Sequence, residues 1–384
     1  MTPTIDHPLM GISARIRKSP FFDATRRWGC RTYTTYNHML MPLVFESTED
    51  DFERLSSDVT LWDTAGERQV EITGPDAARF TQYLVSRDLS KCRVGQCMYV
   101  VLTSPAGGII NDPVLLKLGA GHFWLSLADS DVMLWALGLA QGAGMDVALS
   151  EPDVSPLQVQ GPKSRALMGE LFGDWINDLK FFRFRETVLD GIPLVVSRTG
   201  WSGEPGFELF LRDGARGDEL WERIMETGRP HNITPAAPNA ISRIEAGLLS
   251  YGADMTIHEN PFEVGLDRFV DLDQSADFVG KTALTEIRAR GVTRRLAGVI
   301  LDGPPMAANQ HVWPVAAGGE WTGQMTSFIH SPRLGQNIGL ALIAVEHAVP
   351  GTAVTVDTDD GTRTGTVSAL PFHDGRREKQ GSRP

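Results

Sequence analysis

Two stretches of this chain repeat one local pattern, and that repeat constrains the fold more than any other feature. Val70-Glu71-Ile72-Thr73-Gly74-Pro75 runs into a helical stretch over residues 76–85, and Gln158-Val159-Gln160-Gly161-Pro162 runs into another over 163–172, stopped by Gly173. Each is a short strand, a Gly turn, then Pro at the expected first helical position, where its missing N–H is not needed. One match is weak evidence. Two, about ninety residues apart, indicate either a duplicated strand–helix unit or two similar α+β lobes.

The 384 residues exceed what one hydrophobic core usually organises, so two or three domains are expected. Ser47-Thr48-Glu49-Asp50 reads as a capping box ahead of Phe52 and Leu55. Residues 108–118 and 123–127 read as strands, with Asp129 capping a helix over 131–140. Residues 188–211 read as a hairpin joined through Gly200-Trp201-Ser202-Gly203-Glu204-Pro205-Gly206. From about Thr293 the texture is β only, with short apolar runs at 296–302, 312–315, 321–328, 338–343, 353–356 and 362–370. Such runs, punctuated by Gly and Pro, predict a small β-barrel or Greek-key domain. No low-complexity linker separates the parts, so they are expected to be closely apposed, with a charged tail from His373 onward that frays.

Composition then removes function classes. Lys and Arg total 36 against 48 Asp and Glu, a net charge of −12, which argues against nucleic acid or an anionic membrane as partner. Three cysteines, Cys30, Cys92 and Cys97, cannot build a disulfide framework or a zinc ribbon. Asp6 and His7 stand where a signal peptide needs an apolar run. A cytoplasmic protein is expected. No Gly-x-Gly-x-x-Gly, P-loop, nucleophile elbow or His-Glu-x-x-His occurs, and the histidines lack ligand spacing. Nicotinamide, flavin and metal are therefore not expected.

Four stretches are chemically conspicuous. Asn111-Asp112-Pro113 follows a Gly-Gly turn and enters an apolar run; Asp112 is either a turn-former or a site carboxylate. In Arg198 to Glu208, three glycines would let backbone approach a ligand, Trp201 offers a flat face and Glu208 an acceptor; a plain hairpin loop is the alternative. In the helix around Arg243, Glu245 falls within the arc of Ile241, Ile244, Leu248 and Leu249, so it must be paired, either by a structural ion pair or by a ligand. The first forty residues interleave Phe21, Phe22, Trp28, Tyr33 and Tyr36 with Lys18 and several arginines, as a packed segment or a cavity wall.

Read together, these stretches make the chain resemble the glycine-cleavage T-protein (aminomethyltransferase) superfamily. The matching motifs are Gly108-Ile109-Ile110-Asn111-Asp112, Gln160-Gly161-Pro162-Lys163-Ser164, Arg198-Thr199-Gly200-Trp201-Ser202-Gly203-Glu204, Arg243-Ile244-Glu245-Ala246-Gly247, Asn260-Pro261-Phe262-Glu263-Val264-Gly265-Leu266 and Asp277-Phe278-Val279-Gly280-Lys281. Within it the chain is most similar to the dimethylsulfoniopropionate-demethylating branch. Supporting segments include Tyr33-Thr34-Thr35-Tyr36-Asn37-His38-Met39, Glu67-Arg68-Gln69-Val70-Glu71-Ile72 and Ser86-Arg87-Asp88-Leu89-Ser90-Lys91. Asn37-His38-Met39 replaces the Gly-Gly-Trp-like stretch of aminomethyltransferases, which implies a different methyl donor and no lipoyl-protein partner.

The resemblance implies an α+β three-domain cloverleaf around a central channel. Residues 1–292 would form two lobes (roughly 1–55 with 150–260, and 56–149 with 261–292), 293–375 a barrel and 376–384 a tail. It implies tetrahydrofolate as methyl-accepting co-substrate, held by Tyr99, Asp112, Trp201, Glu208 and Arg243, with Asp112 the catalytic residue beside the pterin. Lys18, Phe21, Phe22, Tyr33, Tyr36 and His38 are the candidates for the donor pocket, since aromatic rings suit a sulfonium and a cation suits its carboxylate. A small-molecule methyl donor is the expected partner, and a homodimer is compatible with the reading. The alternatives are an O- or N-demethylase on the same scaffold and a non-catalytic folate-binding module.

Overall fold

Three sheet-based units carry the chain in the computed structural model, which describes residues 13–373. The expectations for Asp6 and His7, and for the tail beyond His373, lie outside those residues. A six-stranded sheet runs in the order Phe184–Leu189, Ile192–Ser197, Gly206–Leu211, Ser155–Gln160, Val59–Asp63, Ile233–Ala236. It is antiparallel except for the last pair. A five-stranded antiparallel sheet runs Ala148–Ser150, Gln69–Thr73, His122–Ser126, Val114–Gly119, Gln96–Tyr99. The third unit is a closed barrel of Arg294–Leu301, Gln336–Ala344, Glu320–Ser331, Trp313–Ala317, Ala353–Thr358 and Gly361–Ser368. The six β-runs expected after Thr293 are these six strands.

The strand–glycine–helix pattern occurs in both places. Gln69–Thr73 and Ser155–Gln160 each end at a glycine of positive φ, Gly74 (+115°) and Gly161 (+123°), and each leads into a helix, Ala77–Leu84 and Ser164–Phe172. Pro75 and Pro162 sit one residue ahead of the N-caps Asp76 and Lys163 rather than inside the helices. Two other expectations change. Strand Val59–Asp63 pairs with Ser155–Gln160, so a lobe division after residue 55 cuts ahead of a strand of the larger sheet. Asp131, not Asp129, is the N-cap residue of helix Val132–Ala143; Asp129 accepts the Asn37 amide instead (2.7 Å). Ser47 caps helix Thr48–Ser57 as read, its Oγ accepting the Asp50 amide at 3.0 Å.

Alternation along the strands builds three layers of packing. On Gly206–Leu211, Phe207, Leu209 and Leu211 pack under the helices with Phe21, Leu220 and Trp221. Phe210 points the other way, joining Cys97, Leu116 and Trp124 between the two sheets. Where Phe52, Val101, Ile109, Ile241, Ile244, Ile329 and Leu340 meet, elements of both lobes and the barrel share one apolar junction. Among the described residues no helix is long and apolar enough to cross a membrane.

Candidate active site

The same alternation puts functional side chains at the rim of the interlayer. On Gln96–Tyr99, Cys97 fills the space between the sheets and Met98 faces the helices, so Tyr99 shares the Cys97 face. Its hydroxyl donates to Asp112 Oδ2 at 2.7 Å. Asp112 is set by its neighbour Asn111, fully buried, which donates to Ala128 O (3.0 Å) and Ser130 Oγ (2.8 Å) and accepts the Ala128 amide (3.1 Å). Asp112 Oδ1 is buried without a protein hydrogen-bond partner. Burial pushes the Asp112 carboxyl up to about 7 against the lowering effect of the Tyr99 hydrogen bond. An acceptor aimed at nothing in the protein suits a ligand N–H.

Glu208 lies opposite Gln158 on one side and Ser197 on the other. Gln158 Nε2 donates to Glu208 Oε1 at 3.0 Å and to Glu67 Oε1 at 3.3 Å. Ser197 Oγ (3.4 Å) and Thr199 Oγ1 donate to Glu208 Oε2. Sequence reasoning missed Glu67 as a site residue. Burial first, then the nearby Glu208 and Asp112 carboxylates, push its carboxyl well above the usual range. Arg68 does not relieve it, because that guanidinium is engaged by Glu151 (Nε–Oε1 2.9 Å). The available signal was an acid in a tight turn between two buried strands, Val59–Asp63 and Gln69–Thr73.

The Trp201 loop corrects one expectation. Gly200 and Gly206 do not free backbone for a ligand; they make room for Gln160, whose side-chain amide would lie 2.3 Å from a Cβ at either position. Gln160 donates to Thr199 O and Phe207 O (3.4 and 3.3 Å) and accepts from Ser202 Oγ (2.6 Å), so it threads the loop and sets its shape. The Trp201 amide donates to Gln158 Oε1 at 3.4 Å. Arg243 lies 6.0 Å from the Trp201 ring centroid, and its guanidinium is matched by Asp254 (2.8 Å) and Ser327 Oγ (2.7 Å), tying its helix to the barrel.

Of the N-terminal candidates, the structure brings Tyr36 to the carboxylates. Asn37 and His38 have φ of 47° and 62°, the left-handed pair of a tight hairpin turn between Thr32–Tyr36 and Met39–Val44. Asn37 Nδ2 anchors that turn to Gly66 O and Ala128 O (both 3.0 Å). Tyr36 packs on Gly66, and burial followed by Glu67, Asp112 and Asp129 pushes its hydroxyl well above the usual range. Phe21 is fully buried against Trp221 (centroids 6.4 Å apart), a core position with no face left for a donor. Phe22 stacks with Tyr33 (5.2 Å) beneath Lys18 Nζ (4.7 Å), and the Tyr33 hydroxyl pairs with Thr25 Oγ1 (2.7 Å). His38 is exposed at the turn tip, 3.4 Å from Asp131. Tyr251, which sequence reasoning also missed, has Asp112 among the charges raising its hydroxyl and donates to Ile109 O (3.3 Å).

Glu67, Asp112, Glu208, Tyr36 and Tyr99 thus lie close to one another as one acidic, aromatic cluster at the edge of two packed sheets. Among the described residues no group of His, Cys, Asp and Glu has the arrangement to hold a metal ion. Residues 21–274 match the GCVT N-terminal domain and 294–374 the glycine cleavage T-protein C-terminal barrel domain. Dimethylsulfoniopropionate demethylase DmdA from Ruegeria pomeroyi is 43% identical over 357 residues, 92% of this chain and 97% of the relative. An aminomethyltransferase from Bacillus mycoides is 32% identical over 368 residues, 93% of this chain and 98% of the relative. The crystal structure of glycine cleavage system aminomethyltransferase T from Bartonella henselae superposes with a TM-score of 0.85 over 94% of this chain and 99% of that one, at 22% identity, so the fold is shared. With two family domains in order over nearly its full length, this chain belongs to the glycine-cleavage T-protein (aminomethyltransferase) family.

Proposed function

We propose that this protein transfers a methyl group from dimethylsulfoniopropionate to tetrahydrofolate, giving 5-methyltetrahydrofolate and 3-methylthiopropionate. The observation that carries this reading is the acidic site itself, three carboxylates and two tyrosines on one rim, in a chain 43% identical to a dimethylsulfoniopropionate demethylase over 92% of its length. A sulfonium donor is a cation, and the enclosure presents anionic and aromatic groups to it. Its leaving group departs as a neutral thioether, so the bond to sulfur breaks without a general acid.

Tetrahydrofolate supplies the nucleophilic N5 amine and the N–H edge of its amino-pyrimidine. Asp112 Oδ1, buried and unengaged within the protein, fits the N5–H, while the amino-pyrimidine edge is left to Glu208. Glu208, oriented by Gln158, Ser197 and Thr199, fits an N–H of that edge. Trp201 and Tyr99 supply ring faces, and Arg243 holds the helix beside Trp201 in place. The N5 proton is released once the N–C bond has formed; a carboxyl with its pKa near 7, as Asp112 has, is suited to take it. Alignment and exclusion of water supply the rest, orientation being worth ~7–11 kcal/mol.

The test is an anaerobic assay with tetrahydrofolate and a donor panel: dimethylsulfoniopropionate, glycine betaine, dimethylglycine and a methoxylated benzoate. Mass spectrometry reads out 5-methyltetrahydrofolate. Methyl transfer only from an ether or an amine overturns the sulfonium assignment, and no methylated folate from any donor overturns the reaction class.

A further inference from the structure

Arg333 sits in the turn between barrel strands Glu320–Ser331 and Gln336–Ala344, yet its guanidinium serves residues outside the barrel. Nη2 lies 2.9 Å from Glu204 Oε1, Nε lies 3.5 Å from Glu245 Oε2, and the guanidinium stacks 4.8 Å over the Phe52 ring. Both glutamate side chains are 2% exposed. Ser331 Oγ donates to Glu245 Oε1 and accepts the Leu334 amide at 3.0 Å, which fixes the turn that projects Arg333. The His373 amide closes the far side on Glu245 O (2.9 Å).

The two carboxylates belong to elements that carry site residues. Glu204 is three residues after Trp201 in the loop threaded by Gln160, and Glu245 is two residues after Arg243 on helix Ala240–Glu245. We infer that Arg333 is a positioning residue of the folate site, a barrel-borne cation that holds the Trp201 loop against the Arg243 helix by bridging Glu204 and Glu245. This rests on the folate reading of the site and adds a function for the barrel within it.

The physical argument is asymmetry. Two buried carboxylates side by side repel, and losing the cation that bridges them removes the attraction that draws the two together. Burial already pushes the Glu245 carboxyl up, with Ser331, Arg333 and His373 opposing and Glu204 adding to the rise. Glu245 is held by Ser331 at its carboxylate and by His373 at its backbone. Glu204 lies in the Trp201 loop, its backbone tied to Ser202 of that same loop, so losing the Arg333 bridge is expected to move the loop, and Trp201 with it, relative to the Arg243 helix.

The experiment compares wild type, Arg333→Ala and Arg333→Lys in the full chain, measuring tetrahydrofolate binding and separate KM values for folate and for the sulfonium donor. Arg333→Ala is expected to raise the folate KM by about tenfold or more, with the donor KM changed by less than about twofold. Truncating Arg333 to Ala vacates the space that its guanidinium fills between Glu204 and Glu245, where a small planar cation could replace it. Millimolar guanidinium ion is therefore expected to restore folate affinity to Arg333→Ala while leaving wild type unchanged, and Arg333→Lys to fall between. Should Arg333→Ala not fold, Glu204→Gln, which removes the same bridge at constant volume, is expected to give the same split between the two KM values. Equal changes in both, unchanged folate affinity in a folded variant, or a loss of thermal stability without guanidinium rescue overturns the assignment. Wild type that fails to bind tetrahydrofolate would instead sink the folate reading.

Discussion

Tyr99 gives its hydroxyl proton to Asp112 at 2.7 Å, and the other oxygen of that carboxyl is buried with no partner in the protein. One oxygen is held in orientation by Tyr99, and the other is the one we propose for a ligand. The arrangement is expensive for the fold, because burial lifts Asp112 to about 7. A carboxylate that is costly to ionise, fixed in direction and supported by a fully buried Asn111 favours the proposed site role of Asp112 over that of a plain turn-former.

Asp112→Asn is expected to lower kcat/KM by about 10²–10⁴-fold, the usual worth of a positioned acid or base. In wild type, kcat/KM climbs with pH through about 7 as Asp112 ionises; in the variant that limb disappears. Stability moves the opposite way. A carboxyl whose folded pKa lies above its unfolded value of about 3.9 contributes stability that is present below about pH 4 and lost as pH rises through the folded pKa. Asp112→Asn is therefore expected to melt above wild type at pH 8. Thermal unfolding at pH 5 and pH 8 checks the sign.

Glu208→Gln keeps the shape of the row with Gln158 and Ser197 but removes the charge that accepts a folate N–H. Folate dissociation constants are expected to rise by about 10- to 100-fold, as for a lost hydrogen bond to a charged group. The donor KM is expected to change far less. Isothermal titration with tetrahydrofolate settles it, and an unchanged constant removes Glu208 from the site.

Much of this was legible in the sequence, for identifiable reasons. Strand–Gly-Pro–helix repeats and six punctuated β-runs depend on local chemistry, so they led to the two lobes and the barrel. Glu208 and Asp112 stand in local motifs. Phe21 was misjudged because an aromatic residue beside basic ones looks the same whether its ring faces a cavity or Trp221; only tertiary packing tells them apart. Gly200 and Gly206 looked like ligand approaches because nothing nearby in sequence names Gln160, some 40 residues upstream, as the group that occupies their space. Glu67 was passed over because its significance comes from Glu208 and Asp112, both distant in the chain.

Gly206→Ala tests the threaded glutamine directly. Its Cβ would fall 2.3 Å from Gln160 Oε1, so the loop or the amide must shift. Overpacking of this kind costs about 1–3 kcal/mol, to be read by chemical denaturation. Because Gln160 also holds Ser202 beside Trp201, folate affinity is expected to weaken with stability. A variant as stable as wild type would show that Gln160 can move aside freely.

His38→Gln separates sulfonium from ether chemistry. His38 is 64% exposed on the hairpin turn, with Asp131 at 3.4 Å, and lies outside the carboxylate cluster. A sulfonium donor needs no acid, so turnover of dimethylsulfoniopropionate is expected to stay within about twofold of wild type, as for an ordinary surface change. A hundredfold loss would mean that an acid is needed and would favour an ether donor.

Glu67 makes the charge of the donor measurable. In the free protein burial, then the Glu208 and Asp112 carboxylates, push its carboxyl well above the usual range, which favours its protonated form. A cation entering beside it favours the ionised form and lowers its pKa, so binding is expected to expel a proton. Calorimetric titration with dimethylsulfoniopropionate, run in phosphate and in Tris, is therefore expected to give binding enthalpies that differ by the buffers' ionisation enthalpies times the protons released. Glu67→Gln cannot release that proton, so its enthalpies are expected to converge, and its donor affinity to fall by about tenfold as the counter-charge is lost. The neutral product 3-methylthiopropionate lacks the sulfonium, and the buffer dependence should shrink with it. Equal enthalpies in both buffers for wild type would place the sulfonium away from Glu67 and leave the aromatic faces of Tyr36 and Tyr99 as its partners.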